Sequence, residues 1–146
     1  MYKVIVVGTD GSDRATIAVR EALELAKMTG AKLHAVQVVH PSLNPGFSDA
    51  SGGQFEINEL RVQAERTNAQ VIAEAEQQGV SAEMHNPAGG DVADALMSVA
   101  QSVGADLIVV GNLGMSGMKR LVLGSVPNKV SHKCPCNLLI VDTEST

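Results

Sequence analysis

The sequence predicts an α/β fold, an open parallel sheet of five strands with helices on both faces. Three observations carry that prediction. Five short apolar runs alternate with longer stretches of helical periodicity, the pattern of consecutive βα units. Two of the runs, Val4-Ile-Val-Val7 and Leu107-Ile-Val-Val110, are apolar at every position, as strands are when both faces of a sheet are covered. The 146 residues suit one domain with a real core, residues 1–146, and no internal repeat or linker divides them.

The first strand is expected at about 3–8 and the first helix at about 12–29. Ala15, Ala18, Val19, Ala22 and Ala26 recur there at three- and four-residue intervals on one face. Ser12 is placed as the N-cap and Gly30 as the stop. The second strand is expected at about 32–39. Residues 40–54 follow, rich in Pro, Gly and Ser, and form the one long irregular stretch. They leave the carboxyl end of the second strand and read equally as a lid or as a connector. The second helix is expected at about 56–78, with Ile57, Leu60, Ala64, Val71 and Ala75 on its apolar face and Gly79 at its end. The third strand follows at about 80–86. The third helix, about 91–103, shows Val92, Leu96, Val99 and Val103 and closes at Gly104. The fourth strand at about 106–110, a short helix at 126–132 and a last strand at 137–141 complete the chain. Crossovers between parallel strands are expected to be right-handed.

Composition narrows the function. The aromatic residues are Tyr2, Phe47 and Phe55, with no Trp, too few for a platform on which single-stranded nucleic acid stacks. A formal charge of −5 disfavours nonspecific binding to nucleic acid or anionic membranes. No apolar run approaches the roughly 18 residues of a membrane span. The chain enters its first strand with no signal-peptide pattern, so a cytoplasmic location is expected. Cys134 and Cys136 are one residue apart. A disulfide there would close a small strained loop, so two reduced thiols are expected.

The segment from Gly111 to Val126 carries the strongest functional signal. Gly111, Gly114, Gly117 and Gly124-Ser125 lie between the end of a buried strand and the start of a helix. An α/β protein exposes backbone N–H groups to an anion at such a place. Glycine lets the main chain approach a ligand closely, and Ser125 adds a hydroxyl beside the helix start. The segment therefore reads as a phosphate-binding loop, with Gly111 and Gly114 near phosphates and Gly124, Ser125 and Val126 as an anion cradle. The plainer alternative makes the glycines turn punctuation and Ser125 a helix cap. Lys119 and Arg120 lie inside the loop, either to counter phosphate charge or simply in solvent. Asp10, at the end of the first strand, is placed to accept a hydrogen bond from a ribose or base, to help hold a divalent cation, or to cap the first helix.

The spacing Gly, two residues, Gly, nine residues, Gly-Ser is neither the P-loop nor the dinucleotide fingerprint. It resembles the nucleotide-binding, glycine-signature subgroup of the universal stress protein family. Thr9-Asp10-Gly11-Ser12, the Gly90-Asp91 turn and the ending from His132 to Val141 extend the resemblance over the whole chain. The resemblance implies a Rossmann-like strand order of 3-2-1-4-5. Winding then reverses between the first and fourth strands, where ligands bind outside the carboxyl ends. It also implies a nucleotide contact at Asp10, with Thr9 beside it, and backbone contact with adenine at Val38, next to Val39. The implied function is stress-response regulation through ATP binding, with Mg²⁺ or Mn²⁺ accompanying the phosphates. Cyclic AMP is the alternative ligand. The implied partner is a second copy of the chain, a homodimer through the C-terminal strand.

Other matches fail. The sequence Gly114-x-Ser116-Gly117 lacks the further glycine of a nucleophile elbow. His34, His40, His85 and His132 are scattered, with no zinc-ligand spacing. Nothing resembles the lysine, water-positioning residue and arginine finger of a dedicated phosphoryl-transfer site. No catalytic residue is expected, and any ATPase activity would be slow.

Overall fold

The computed structural model describes residues 1–39, 50–113 and 123–144, and for residues 50–57 the backbone alone. Strand β1 (Val4–Gly8) leads to helix α1 (Asp13–Thr29), β2 (Lys32–Val36), α2 (Ala50–Gln78) and β3 (Ala82–His85). Helix α3 (Val92–Val103), β4 (Leu107–Gly111), α4 (Ser125–Lys133) and β5 (Asn137–Val141) follow. The five strands pair in parallel in the order β3-β2-β1-β4-β5, the order implied by the family resemblance.

Alternation within the central strands divides the core in two. Ile5 and Val7 of β1 and Leu107 and Val109 of β4 pack with Ala18, Ala22, Leu23 and Ala26 of α1 and with Val71 and Ala75 of α2. Val6, Ile108 and Val110 point the other way, into a cluster with Ala93, Leu96 and Ala100 of α3 and Val130 of α4. Small alanines on three helices let the helices sit close to the sheet, which is how a core with so few aromatics fills its space.

Helix ends follow local chemistry. The Ser12 hydroxyl accepts from the Ala15 N–H at 3.1 Å, and Gly30 closes α1 at φ 73°. Asp91 caps α3 by accepting from the Asp94 N–H at 3.0 Å, and Gly104 closes it. Three expectations shift. The buried stripe of α3 is Ala93, Leu96, Met97 and Ala100, while Val92, Val99 and Val103 stand at its half-buried margins. Helix α2 begins at Ala50, inside the stretch expected to be irregular. Once Ala64, Val71 and Ala75 anchor the helix, extension adds a hydrogen bond per residue with no new nucleation cost. The rest of that stretch, residues 40–49, read equally as a lid or a connector, lies outside the described residues. Strand β2 stops at Val36, although Val39 still bridges Ala88.

Candidate functional site

The carboxyl ends of β1 and β4 border a cavity of about 140 Å³, at the point where the winding reverses. Gly8, Thr9 and Asp10 form one wall. Gly111 and Leu113 form the opposite one, and Gly124, Ser125, Val126 and Pro127 close it at the start of α4. Val36, Val38, Ala15, Val92, Leu96 and Val110 give it an apolar floor and sides. Seven residues singled out in the sequence thus meet at one cavity: Thr9, Asp10, Val38, Gly111, Gly124, Ser125 and Val126. Gly114, Lys119 and Arg120 lie outside the described residues. Reading by motif missed the apolar lining. The carboxyl-terminal positions of the strands, Val36 and Val110, were its available signal.

The mouth is built by short-range bonds. The Thr9 N–H donates to the Val36 carbonyl at 2.9 Å, continuing the β1–β2 ladder past the strand end. The Thr9 hydroxyl accepts from the Gly11 N–H, and Asp10 Oδ1 from the Ser12 N–H at 2.9 Å. Asp10 therefore shapes the turn into α1 with one carboxylate oxygen. Its other oxygen has no partner among the described residues. Gly11 is required by its φ of 79° and by Thr67, whose hydroxyl would stand 2.7 Å from an added Cβ.

Asn112 ties the opposite wall together. Its N–H donates to the Val141 carbonyl and its own carbonyl accepts from the Gly124 N–H, both at 2.9 Å. Its side-chain oxygen accepts from the Thr143 N–H at 2.9 Å and hydroxyl at 2.8 Å. The end of β4, the chain after β5 and the start of α4 thereby become one unit. Gly111 has a packing role here. A Cβ on it would lie 3.0 Å from Thr143 Cγ2, and Thr143 is buried.

Gly124, not Ser125, is the N-cap of α4, and no side chain caps that helix. The Gly124 N–H is already bonded to Asn112, and Asn128 has begun the helical ladder by donating to the Gly124 carbonyl at 3.0 Å. Pro127 has no N–H. Among the described residues, the N–H groups of Ser125 and Val126 have no partner at this helix start, and the Ser125 hydroxyl stands beside them. These N–H groups form the positive end of the helix dipole. Among the described lining residues Asp10 alone is ionisable.

Asp91, the other marked turn residue, is held by structure. Lys129 of α4 reaches Asp91 at 3.3 Å and Asp94 at 3.1 Å, joining the two helices beside the cavity. The Asp94 N–H, and after it Lys129, hold the Asp91 carboxyl below its ordinary value. Cys134 and Cys136 are unpaired thiols. Burial, then the neighbouring Cys134, pushes the Cys136 thiol up to about 11, far from a reactive thiolate. The histidines expected to be scattered are not all so. His34 and His85 meet across β2 and β3 at 2.9 Å, because the parallel register joins residues far apart in sequence. No helix among the described residues is long and apolar enough to cross a membrane.

The geometry has clear relatives. A universal stress protein of Mycobacterium tuberculosis is 35% identical over 147 aligned positions, covering 97% of each chain. A universal stress protein crystallised in complex with cAMP is 32% identical, with a TM-score of 0.74 over 98% of this chain and 99% of that one. One from Archaeoglobus fulgidus, in complex with dAMP, is 26% identical with a TM-score of 0.70, covering 97% and 98%. The sequence profile described as the Universal stress protein family matches residues 1–142, and this chain belongs to that family.

Proposed function

We propose that the cavity between β1 and β4 binds an adenine nucleotide, cyclic AMP ahead of ATP, and that the chain is a nucleotide-responsive regulatory protein. The observation that carries this reading is the pair of N–H groups, Ser125 and Val126, that have no partner among the described residues, at the start of α4 above a largely apolar cavity. Two amides and one hydroxyl suit a single phosphate group. The apolar sides formed by Val36, Val38 and Leu96 suit a flat base, and Asp10 in the cavity wall is an acceptor suited to a ribose or base donor. Charge orders the two ligands. With Asp10 as the one ionisable group in the described lining, a monoanion enters at less electrostatic cost than a triphosphate. Complexes of two relatives, with cAMP and dAMP, support a ligand with one phosphate. ATP remains the second reading, favoured by Lys119 and Arg120 in the loop sequence. It would need Mg²⁺ or Mn²⁺ to offset the remaining charge. Any hydrolysis of it would be slow.

Calorimetric titration of both nucleotides, with metal and with chelator, tests the proposal. Cyclic AMP should bind without metal, and Ser125→Ala should weaken it about tenfold, the loss of one hydrogen bond to a charged group. Tighter, metal-dependent ATP binding would reverse the order of ligands. A folded chain that takes up neither would defeat the reading.

A further inference from the structure

Strands β2 and β3 carry a polar cluster on the sheet face opposite α1. His34 and Val36 are two residues apart on β2 and so share a face, the one on which Val36 packs with Leu96 of α3. In the parallel register His34 lies opposite Glu83, and Val36 opposite His85. Three side chains with metal-ligating atoms therefore converge. His34 Nδ1 is 2.9 Å from His85 Nε2 and 3.9 Å from Glu83 Oε2. All three ligand atoms lie within 4.8 Å of one another. The nucleotide reading uses none of these residues.

We propose that His34, Glu83 and His85 bind a divalent transition-metal ion of the zinc type. Two imidazole nitrogens, one carboxylate oxygen and an open position for water form a donor set that zinc accepts, and one that hard cations such as Mg²⁺ do not favour. Ligand atoms about 2.0–2.1 Å from a tetrahedral zinc lie about 3.4 Å apart. The imidazole nitrogens, 2.9 Å apart, must separate by about 0.5 Å, and the carboxylate, 3.9 Å from His34 and within 4.8 Å of both rings, must close in by up to about 1.4 Å. His34 is buried and fixed, whereas Glu83 is half exposed and free to swing. The proton between the rings need not leave the protein. Each neutral imidazole presents a lone pair to the ion by carrying its one hydrogen on the far nitrogen, Nε2 of His34 and Nδ1 of His85. One charged group competes: Lys32 Nζ sits 3.0 Å from Glu83 Oε2, and the ion displaces it.

The test uses an untagged, nucleotide-free chain carrying Cys134→Ser and Cys136→Ser, so that thiolates near His132 contribute nothing. After chelator treatment and dialysis, zinc is titrated by calorimetry and cobalt by visible absorption. The expected result is one ion per chain, with tetrahedral cobalt bands and no thiolate charge-transfer band. Glu83→Gln and His85→Gln, each on an edge strand where folding tolerates change, should weaken zinc at least tenfold. Both variants should keep the parent's circular dichroism. Absence of zinc binding in the cysteine-free chain, or binding that survives Glu83→Gln and His85→Gln together, would overturn the proposal and leave an imidazole pair beside a Lys32–Glu83 ion pair.

Discussion

Gly111 shows how a single position carries a role its motif does not reveal. The phosphate-loop pattern gives it a reason to be glycine, namely close approach of a ligand. The structure supplies a second, because Thr143 Cγ2 occupies the space of a Cβ at 3.0 Å. Thr143 cannot retreat easily, being buried and held through both its N–H and its hydroxyl by Asn112. Gly111→Ala should therefore destabilise the fold by about 1–2 kcal/mol, the scale of a small overpacking, as measured by urea unfolding. Thr143→Ser removes the opposing methyl and keeps the hydroxyl, so the double variant should regain most of the loss. If the single variant proves as stable as the parent, the packing role is wrong. Asn112 was not marked as functional in the sequence. Its importance comes from bonds to Val141, Gly124, Asp142 and Thr143 in other segments, none of which a local pattern encodes.

At the scale of elements, the start of α3 couples to α4 through charge. Asp91 caps one helix and also meets Lys129 of the other. Asp91→Ala should cost about 1 kcal/mol, as lost caps do. The pH dependence has a definite sign. The folded-state carboxyl is held below its ordinary value of 3.8, so the unfolded chain protonates first on acidification. The contribution of Asp91 is present in full above that ordinary value and is lost as pH falls through the folded one. Urea midpoints of parent and Asp91→Ala should differ at neutral pH and converge in acid. A gap that persists in acid would assign the loss to something other than the charged cap. This cap was legible in the sequence, since Asp before an apolar helical run is a local signal. The start of α4 was not. A cap at Ser125 was the plainer alternative to the anion cradle, yet the Asn112 carbonyl takes the Gly124 N–H and the cap position falls on Gly124, one residue earlier. The hydroxyl is thereby left beside the free amides.

For the whole molecule, the sheet has two ends, and β5 closes one of them, with β4 as its one neighbouring strand among the described residues. Its Leu138, Leu139, Ile140 and Val141 are half-buried, although strands that are apolar throughout usually have both faces covered. An apolar edge invites pairing with another chain, and a two-fold axis perpendicular to β5 would pair it antiparallel with its copy and close the assembly. We infer a homodimer through β5. Light scattering should return twice the chain mass, and a charged substitution such as Ile140→Lys should lower it toward that of one chain. A single-chain mass across a wide concentration range would exclude this edge as a stable interface. At the other end of the sheet, β3 is shorter and carries Glu83 and Lys32–Glu83 pairing, charge that discourages the same association.

The alternation of strands and helices, the caps at Ser12, Gly30 and Asp91, and the family, through the spacing of its glycines, were legible in the chain alone. These are signals at separations of two to four residues, or a motif within one loop, where neighbours in sequence are neighbours in space. The tertiary structure decided what depends on register and on crossing connections. It set which valines and alanines line the cavity, why Gly111 must lack a side chain, and which amides at α4 remain unpaired. It also joined His34 to His85, residues 51 apart in the chain. Parallel strands are paired through intervening helices, so their register is set by how those helices pack across the sheet. No local pattern in β2 or β3 records which residue will stand opposite which.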